Sequence, residues 1–275
     1  MTFLIVDGDI LKKEEADLSY LFWGEPFMIS QDIWFGFGGI PLFHENIDAL
    51  CSQLDVLNIK IPEFLNNRRE LYRLSKRMLN KNRYYMSGLL HIQLFVRNTD
   101  VNYTISASAF KGSGFPYTEN GLLVNVVKSQ KLPGNLFYPN QFYNRATWEI
   151  FRSRLRNSKF QGSILLNEDH MVCEGIASNL FMIKDDVLIT PAIESGCFED
   201  TIRKPLLDVA TQLNIKSMEL TNIKKDMIPE MKELFFASEK NGIQWILGVE
   251  NKRFFPNISK RIHESLNKYL KEKVS

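Results

Sequence analysis

The sequence predicts an α+β fold organised as two α/β halves. Three observations predict it. Short alternating strands come mostly as hairpins, helices fall between groups of strands rather than after each one, and a Gly/Pro-containing break at Lys111–Asn120 interrupts the pattern. The length of 275 residues suits one large domain or two modest ones. A hydrophobic content of 44% is enough for a buried core and, with 24% charged residues, excludes wholesale disorder and a collagen-like chain.

Phe22–Phe43 is rich in aromatic and β-branched residues and broken by Gly36, Gly38 and Gly39, which predicts strands around a tight turn. Ile47, Leu50, Leu54 and Leu57 then recur at helical spacing. A second helix lies within Pro62–Tyr85, with Leu71, Leu74 and Met78 as its apolar stripe. His91–Val96 and Val101–Phe110 read as strands paired around Arg97–Asp100. Leu122–Val127 is a strand, Lys131–Asn140 a loop and Arg145–Arg156 a helix. Ser163–Leu166 with Met171–Cys173, and Asn179–Ile183 with Val187–Thr190, read as two hairpins. Thr201–Leu213 is helical, Leu234–Ala237 and Ile243–Val249 are strands, and Ser259–Lys271 is an amphipathic terminal helix.

Thirty-four Lys+Arg against thirty-two Asp+Glu leave +2, too balanced for a polyanion-binding surface over the whole molecule. The basic helix 68–83 could face an acidic partner or nucleic acid. No aromatic stacking platform accompanies it, so a solvated face is the expectation and nucleic acid is not an expected partner. Cys51, Cys173 and Cys197 lie far apart and no histidine cluster accompanies them, so no metal site is expected. An odd, low cysteine count fits a reducing cytosol, and the expected location is cytoplasmic. No run approaches the roughly 18 apolar residues of a membrane span. Ordinary packing roles are expected for Trp23, Trp34, Trp148 and Trp245, and for His44, His91, His170 and His263, none of which has a carboxylate or serine at a telling spacing. Cys173 reads as a small buried strand residue.

The most informative segment is Glu174-Gly175-Ile176-Ala177-Ser178-Asn179-Leu180-Phe181, followed by Leu188-Ile189-Thr190-Pro191, Gly196 and Arg203. This series resembles the class IV aminotransferase family, which groups branched-chain and D-amino-acid aminotransferases with aminodeoxychorismate lyases. The resemblance runs from about Trp23 to Tyr269. It implies the fold-type IV scaffold, a pyridoxal phosphate (PLP) cofactor and a homodimer. It also implies a smaller N-terminal domain over 1–115, an interdomain loop at 116–121 and a larger domain over 122–275. The family's chemistry needs a lysine for the Schiff base and proton transfer, and a carboxylate facing the pyridine nitrogen. It also needs an arginine and free backbone N–H groups for the phosphate.

Carried over residue by residue, Glu174 keeps the carboxylate. Asn144-Arg145 matches the family's Asn-Arg pair, and the lysine position three residues before the Asn is Gln141. An amide cannot form an imine with the cofactor aldehyde. Lys128 and Lys131 are the nearest upstream lysines, and either needs a path change to reach the ring. The helix that supplies the phosphate arginine aligns with Asn46–Leu50, which puts Ala49 at the arginine. The phosphate turn aligns with Asp200-Thr201-Ile202-Arg203, with Asp200 in place of glycine, and a later threonine aligns with Ala237. Ser178, Asn179, Thr201 and Ile202 occupy the remaining inherited positions.

The resemblance therefore implies a degenerate PLP site in a homologue that binds a partner or a small anionic metabolite. In the emptied site an Arg145–Glu174 ion pair is expected. The alternatives are an active PLP-dependent aminotransferase or 4-amino-4-deoxychorismate lyase with an unusual site, and binding through the basic helix.

Overall fold

The structure, a computed structural model, describes residues 2–274; the outermost ends of the expected domains, Met1 and Ser275, lie outside them. The chain forms two compact units. The first runs to Phe115 and takes back the chain's end from Leu270; the second spans Pro116–Tyr269.

In the first unit, β1 (Phe3–Val6), β2 (Asp9–Lys12), β3 (Phe27–Phe35), β4 (Ser87–Arg97) and β5 (Asp100–Phe110) form an antiparallel sheet in the order β2-β1-β5-β4-β3. Ile29, Gln31, Ile33 and Phe35 alternate along β3 and are buried, as the two-residue period of a strand requires. They share a core with α1 (Phe43–Val56) and α3 (Arg68–Lys81) through Ile47, Leu50, Leu54, Leu71 and Met78. The spacing of those residues is what lets each helix bury one stripe. The expected tight turn closes between Gly36 and Gly39, whose backbones exchange two hydrogen bonds. Phe37 (φ 53°) and Gly38 (φ 82°) hold its positive-φ corner, the conformation two-residue hairpins favour. Phe43, expected at the end of a strand, instead opens α1. The short α2 (Glu63–Asn66) precedes α3, whose first turn is capped by the Asn67 side chain accepting from Glu70 N–H. The chain's end is tied to this unit by the Lys273–Glu45 ion pair and by Val274, whose side chain fills the space beside Gly39.

The second unit contains β6 (Leu122–Lys128), α4 (Gln141–Leu155), β7 (Gly162–Leu166), β8 (Val172–Gly175), β9 (Asn179–Lys184) and β10 (Val187–Pro191). It continues through α5 (Arg203–Gln212), β11 (Ser217–Leu220), β12 (Glu233–Ser238), β13 (Gly242–Val249), β14 (Lys252–Arg253) and α6, which starts at Ile258. The sheet order is β11-β10-β9-β12-β13-β6-β7-β8, with β14 beside β13. The predicted hairpins β7–β8 and β9–β10 form, and the predicted strands β12 and β13 pair as a third. They are joined into one mixed sheet by the antiparallel pair β9–β12 and the parallel pairs β13–β6 and β6–β7, and β11 adds in parallel beside β10. Residues 116–121, expected as an interdomain loop, are part of this unit: Thr118 N–H donates to Ile243 O and the backbone of Gly242 lies against Pro116. The first turn of α6 is capped by a buried carboxylate from β12. Glu233 accepts from Ile258 N–H at 2.6 Å, Ser259 N–H at 3.1 Å and the Ser259 hydroxyl at 3.1 Å.

Candidate functional site

β8 ends at the residue pair that carries the site. Glu174 is fully buried, and burial of a carboxylate demands a countercharge or donors. It has both. The Trp148 indole N–H donates to Oε1 at 2.8 Å, and Phe198 N–H donates to Oε2 at 2.5 Å. The ammonium of Lys131, itself 1% exposed, lies 2.7 Å from Oε1. Lys131 also donates to Gly196 O at 3.2 Å and sits 5.0 Å from the Tyr138 ring centroid, within cation–π range.

The loop after β6 brings Lys131 there. Ser129 binds Leu166 O through both its N–H and its hydroxyl, and Glu168 N–H donates to Lys131 O. Opposite, Gly196 adopts φ 84°, a left-handed conformation that glycine takes at low cost, and so aims its carbonyl at the ammonium. Lys128, the other candidate lysine, points to the surface and pairs with Glu168 at 3.4 Å.

The expected Arg145–Glu174 pair does not form. α4 begins at Gln141, four residues earlier than predicted, and buries Asn144, Trp148 and Phe151 at helical spacing. Arg145 is one residue, about 100°, around the helix from Asn144. It is exposed and makes no ion pair among the described residues. Trp148, expected as plain packing, is a donor to the buried carboxylate. Gln141 is half-buried as the first residue of α4. Asn144 donates to Tyr138 O at 2.7 Å and Asn140 O at 2.9 Å, which fixes the loop leading into the helix.

A second cluster surrounds the turn before α5. Asn179 accepts from Asp200 N–H at 3.0 Å and donates to Phe198 O. The Asp200 carboxylate turns inward: its Oδ1 accepts from Ile202 N–H at 3.0 Å and from Glu239 N–H at 3.1 Å. The Thr201 hydroxyl donates to the buried Glu239 carboxylate. Arg203 is buried and donates to Pro191 O at 2.7 Å, the Thr190 hydroxyl at 3.1 Å and Glu219 at 2.6 Å. Ser178 is buried with its hydroxyl 3.5 Å from Ile176 O. Ala237 is buried on β12 opposite Asn179. Ala49 is half-buried on α1 of the first unit. The structure thus joins Glu174 with Lys131, and Asn179 with Asp200, Thr201 and Ile202.

Two cysteines flank the carboxylate. Burial pushes the Cys197 thiol up to about 12, and burial together with the Glu174 charge pushes Cys173 well above its ordinary value. Neither supplies a thiolate nucleophile at neutral pH. Among the described residues no group of three or more His, Cys, Asp or Glu could hold a metal ion, and no helix is long and apolar enough to cross a membrane. His91 departs from the ordinary role expected of it. Strand register places its Nδ1 2.6 Å from Asp32 Oδ1 and its Nε2 3.0 Å from the Ser108 hydroxyl. Trp34 is buried, as expected, whereas Trp23 is 80% exposed.

A family model described as "Amino-transferase class IV" matches residues 38–246. The chain belongs to the class IV aminotransferase family. Among curated relatives it is 26% identical over 146 residues to a probable branched-chain-amino-acid aminotransferase of Thermotoga maritima, covering 53% of each chain. It is 22% identical over 169 residues to an aminodeoxychorismate lyase of Vibrio harveyi, covering 60% of this chain and 62% of that one. These matches span about half to three-fifths of the relatives' length. Among solved structures, branched-chain aminotransferase from Thermoproteus uzoniensis superposes with a TM-score of 0.83 at 19% identity, covering 99% of this chain and 95% of that one. The Escherichia coli branched-chain enzyme gives 0.81 at 18%, covering 96% and 92%. The mixed α/β architecture is therefore the fold-type IV fold of these class IV enzymes.

Proposed function

We propose that this class IV family member does no Schiff-base chemistry and acts as a metabolite- or partner-binding homologue. The observation that carries the reading is the buried Lys131–Glu174 ion pair. The family's glutamate faces the cofactor's pyridine nitrogen. Here that carboxylate already holds an ammonium at 2.7 Å, and a pyridinium brought to the same oxygen would meet a like charge with no water to screen it.

The other end of the site supports the same reading. The backbone N–H of Ile202, which the family resemblance assigns to a phosphate seat, is taken by the Asp200 carboxylate, which also accepts from Glu239 N–H. A phosphate there would have to displace a bound anion and lie beside a second carboxylate, Glu239. Ala49 offers no guanidinium, and Gln141 no imine nitrogen. The residues present do not fit PLP. Instead the chain supplies its own cation against Glu174 and its own anion at the turn. Homodimer formation and a cytoplasmic setting belong to the same proposal; the three free cysteines support a reducing compartment.

The test is direct. Purified protein is mixed with PLP, its visible spectrum recorded, and the mixture reduced with borohydride and mapped by mass spectrometry. The expected result is no Schiff-base absorbance and no specific adduct. Gln141→Lys alone is expected to bind PLP poorly, because Asp200 and Ala49 remain. A stoichiometric adduct on Lys131 or Lys128 would overturn the reading in favour of the second one, an active aminotransferase or 4-amino-4-deoxychorismate lyase. What favours that alternative is the retained Glu174 with its two N–H donors.

A further inference from the structure

A cavity of about 530 Å³ lies entirely within the first unit, remote in sequence from Glu174 and its partners. It is bounded by the β1–β2 turn at Asp7-Gly8, by α2 with the start of α3, and by the start of β5. Its volume is within the range of small-molecule sites. The Phe64 and Tyr103 rings stack there with centroids 3.9 Å apart and planes 17° apart, and Leu71 and Leu74 continue the apolar wall.

The polar lining is one-signed. Asp7, Glu63 and Glu70 face the cavity, and no lysine or arginine is part of its lining. Glu70 is neutralised from outside by Arg73, which grips both its oxygens at 2.7 and 2.5 Å. Glu63 has no ion-pair partner among the described residues. Asp7 is held rigidly. It accepts from Tyr103 N–H at 2.7 Å, the Tyr20 hydroxyl at 2.7 Å and the Asn102 amide at 2.9 Å. A carboxylate has about four lone-pair directions, so one remains for a ligand.

Tyr103 points to a ligand independently of these carboxylates. It is only 5% exposed, yet its hydroxyl has no hydrogen-bond partner among the described residues. A Cβ on Gly8 would stand 3.8 Å from that oxygen, so the open glycine turn lies directly over it. The hydroxyl opens onto the cavity rather than being sealed in the interior, so a bound molecule can engage it directly. Burial first, then the charges of Asp7, Asp9 and Glu70, push the phenol up to about 12. The group thus stays protonated at neutral pH, with its oxygen lone pairs free to accept.

We infer that this cavity binds a primary ammonium carried on an aromatic or aliphatic body. The ammonium's three N–H groups match the three acceptors on hand: the open lone pair of Asp7, the Tyr103 oxygen and Glu63. The body would lie on the Phe64–Tyr103 stack. An anion would meet two uncompensated carboxylates. This assignment does not depend on how the PLP question is answered.

The probe is phenethylammonium, with phenethyl alcohol and phenylacetate as neutral and anionic isosteres, each titrated into the full-length protein by calorimetry and followed by NMR line broadening. Phenethylammonium is expected to bind at least fivefold more tightly than the alcohol, and phenylacetate not at all. Glu63→Gln and Tyr103→Phe should each weaken the ammonium at least threefold while leaving thermal midpoints and alcohol binding unchanged. Raising salt should weaken the ammonium alone. Equal binding of ammonium and alcohol, or a Glu63→Gln variant indistinguishable from wild type, would overturn the assignment, as would failure of all three probes to bind.

Discussion

At the scale of single residues, the proposal that this chain does no Schiff-base chemistry rests on one buried lysine. Lys131 and Glu174 are 1% and 0% exposed, so their attraction acts where water screens little. Each ion also has neutral partners: Gly196 O for the ammonium, the Trp148 and Phe198 N–H groups for the carboxylate. Removing only one charge strands the other. Lys131→Met should therefore lower unfolding free energy by about 3–5 kcal/mol, and the double variant Lys131→Met/Glu174→Gln should recover a large part of that loss. Denaturant melts of the wild type, the two singles and the double give the coupling. A Lys131→Met protein as stable as wild type would mean that Glu174 does not need the ammonium. Glu174 itself was legible in the sequence, because several fixed spacings of a family motif converge on it. Lys131 was named only as a lysine needing a path change. Its arrival depends on a loop turned by Ser129 and on a carbonyl aimed by Gly196, and neither leaves a periodic signal. The Arg145 expectation failed for a related reason: a helix start misplaced by four residues leaves its inward face undetermined.

At the scale of elements, hairpins were the legible part of the fold. β4–β5, β7–β8, β9–β10 and β12–β13 each pair residues close in sequence, and period-two alternation with turn residues between suffices to find them. β1 and β11 went unseen because their partners are remote or their runs are four residues long. β1 pairs Ile5 with Ile105, and β11 pairs in parallel with β10 across α5. The cap of α6 is hidden for the same reason, since Glu233 belongs to a strand and Ile258 follows it by twenty-five residues. That cap is testable. The carboxylate satisfies two N–H groups of the first turn and stands at the positive end of the helix. Glu233→Ala should cost about 1–2 kcal/mol. Glu233→Gln, which keeps an acceptor oxygen but not the charge, should cost less than half as much. Amide exchange at Ile258 and Ser259 should speed up in both variants, more in the alanine. Unchanged exchange at those two amides in Glu233→Ala would show that the turn is held by something other than this carboxylate.

At the scale of the whole molecule, the two units share a dependence on pH that the sequence does not display, because it arises from burial. Cys197 in the second unit moves from 9.0 to about 12, chiefly by burial. Tyr20 and Tyr103 in the first unit move from 10.0 to about 12, again chiefly by burial, with nearby carboxylates adding to it. In each case the folded state holds its proton after the unfolded chain has released it. The unfolded state then binds fewer protons, and unfolding free energy must fall as pH rises. The stabilisation is complete below about pH 9, begins to decline first through Cys197 and Cys173, declines more steeply once the tyrosines of the unfolded chain ionise near 10, and its Cys197 and tyrosine parts are gone near 12. Urea midpoints measured from pH 7 to 11 should therefore be nearly flat and then drop. Cys197→Ala should shallow the part of the decline that begins near pH 9, the remainder of that part belonging to Cys173, while Tyr103→Phe should shallow only the part above 10. With two units the transitions need not coincide, so tryptophan fluorescence and far-UV dichroism should be followed together. A Cys197→Ala profile parallel to wild type between pH 9 and 10 would show that the thiol ionises in the folded protein as readily as in the unfolded chain, and that the interior around Glu174 is open to water.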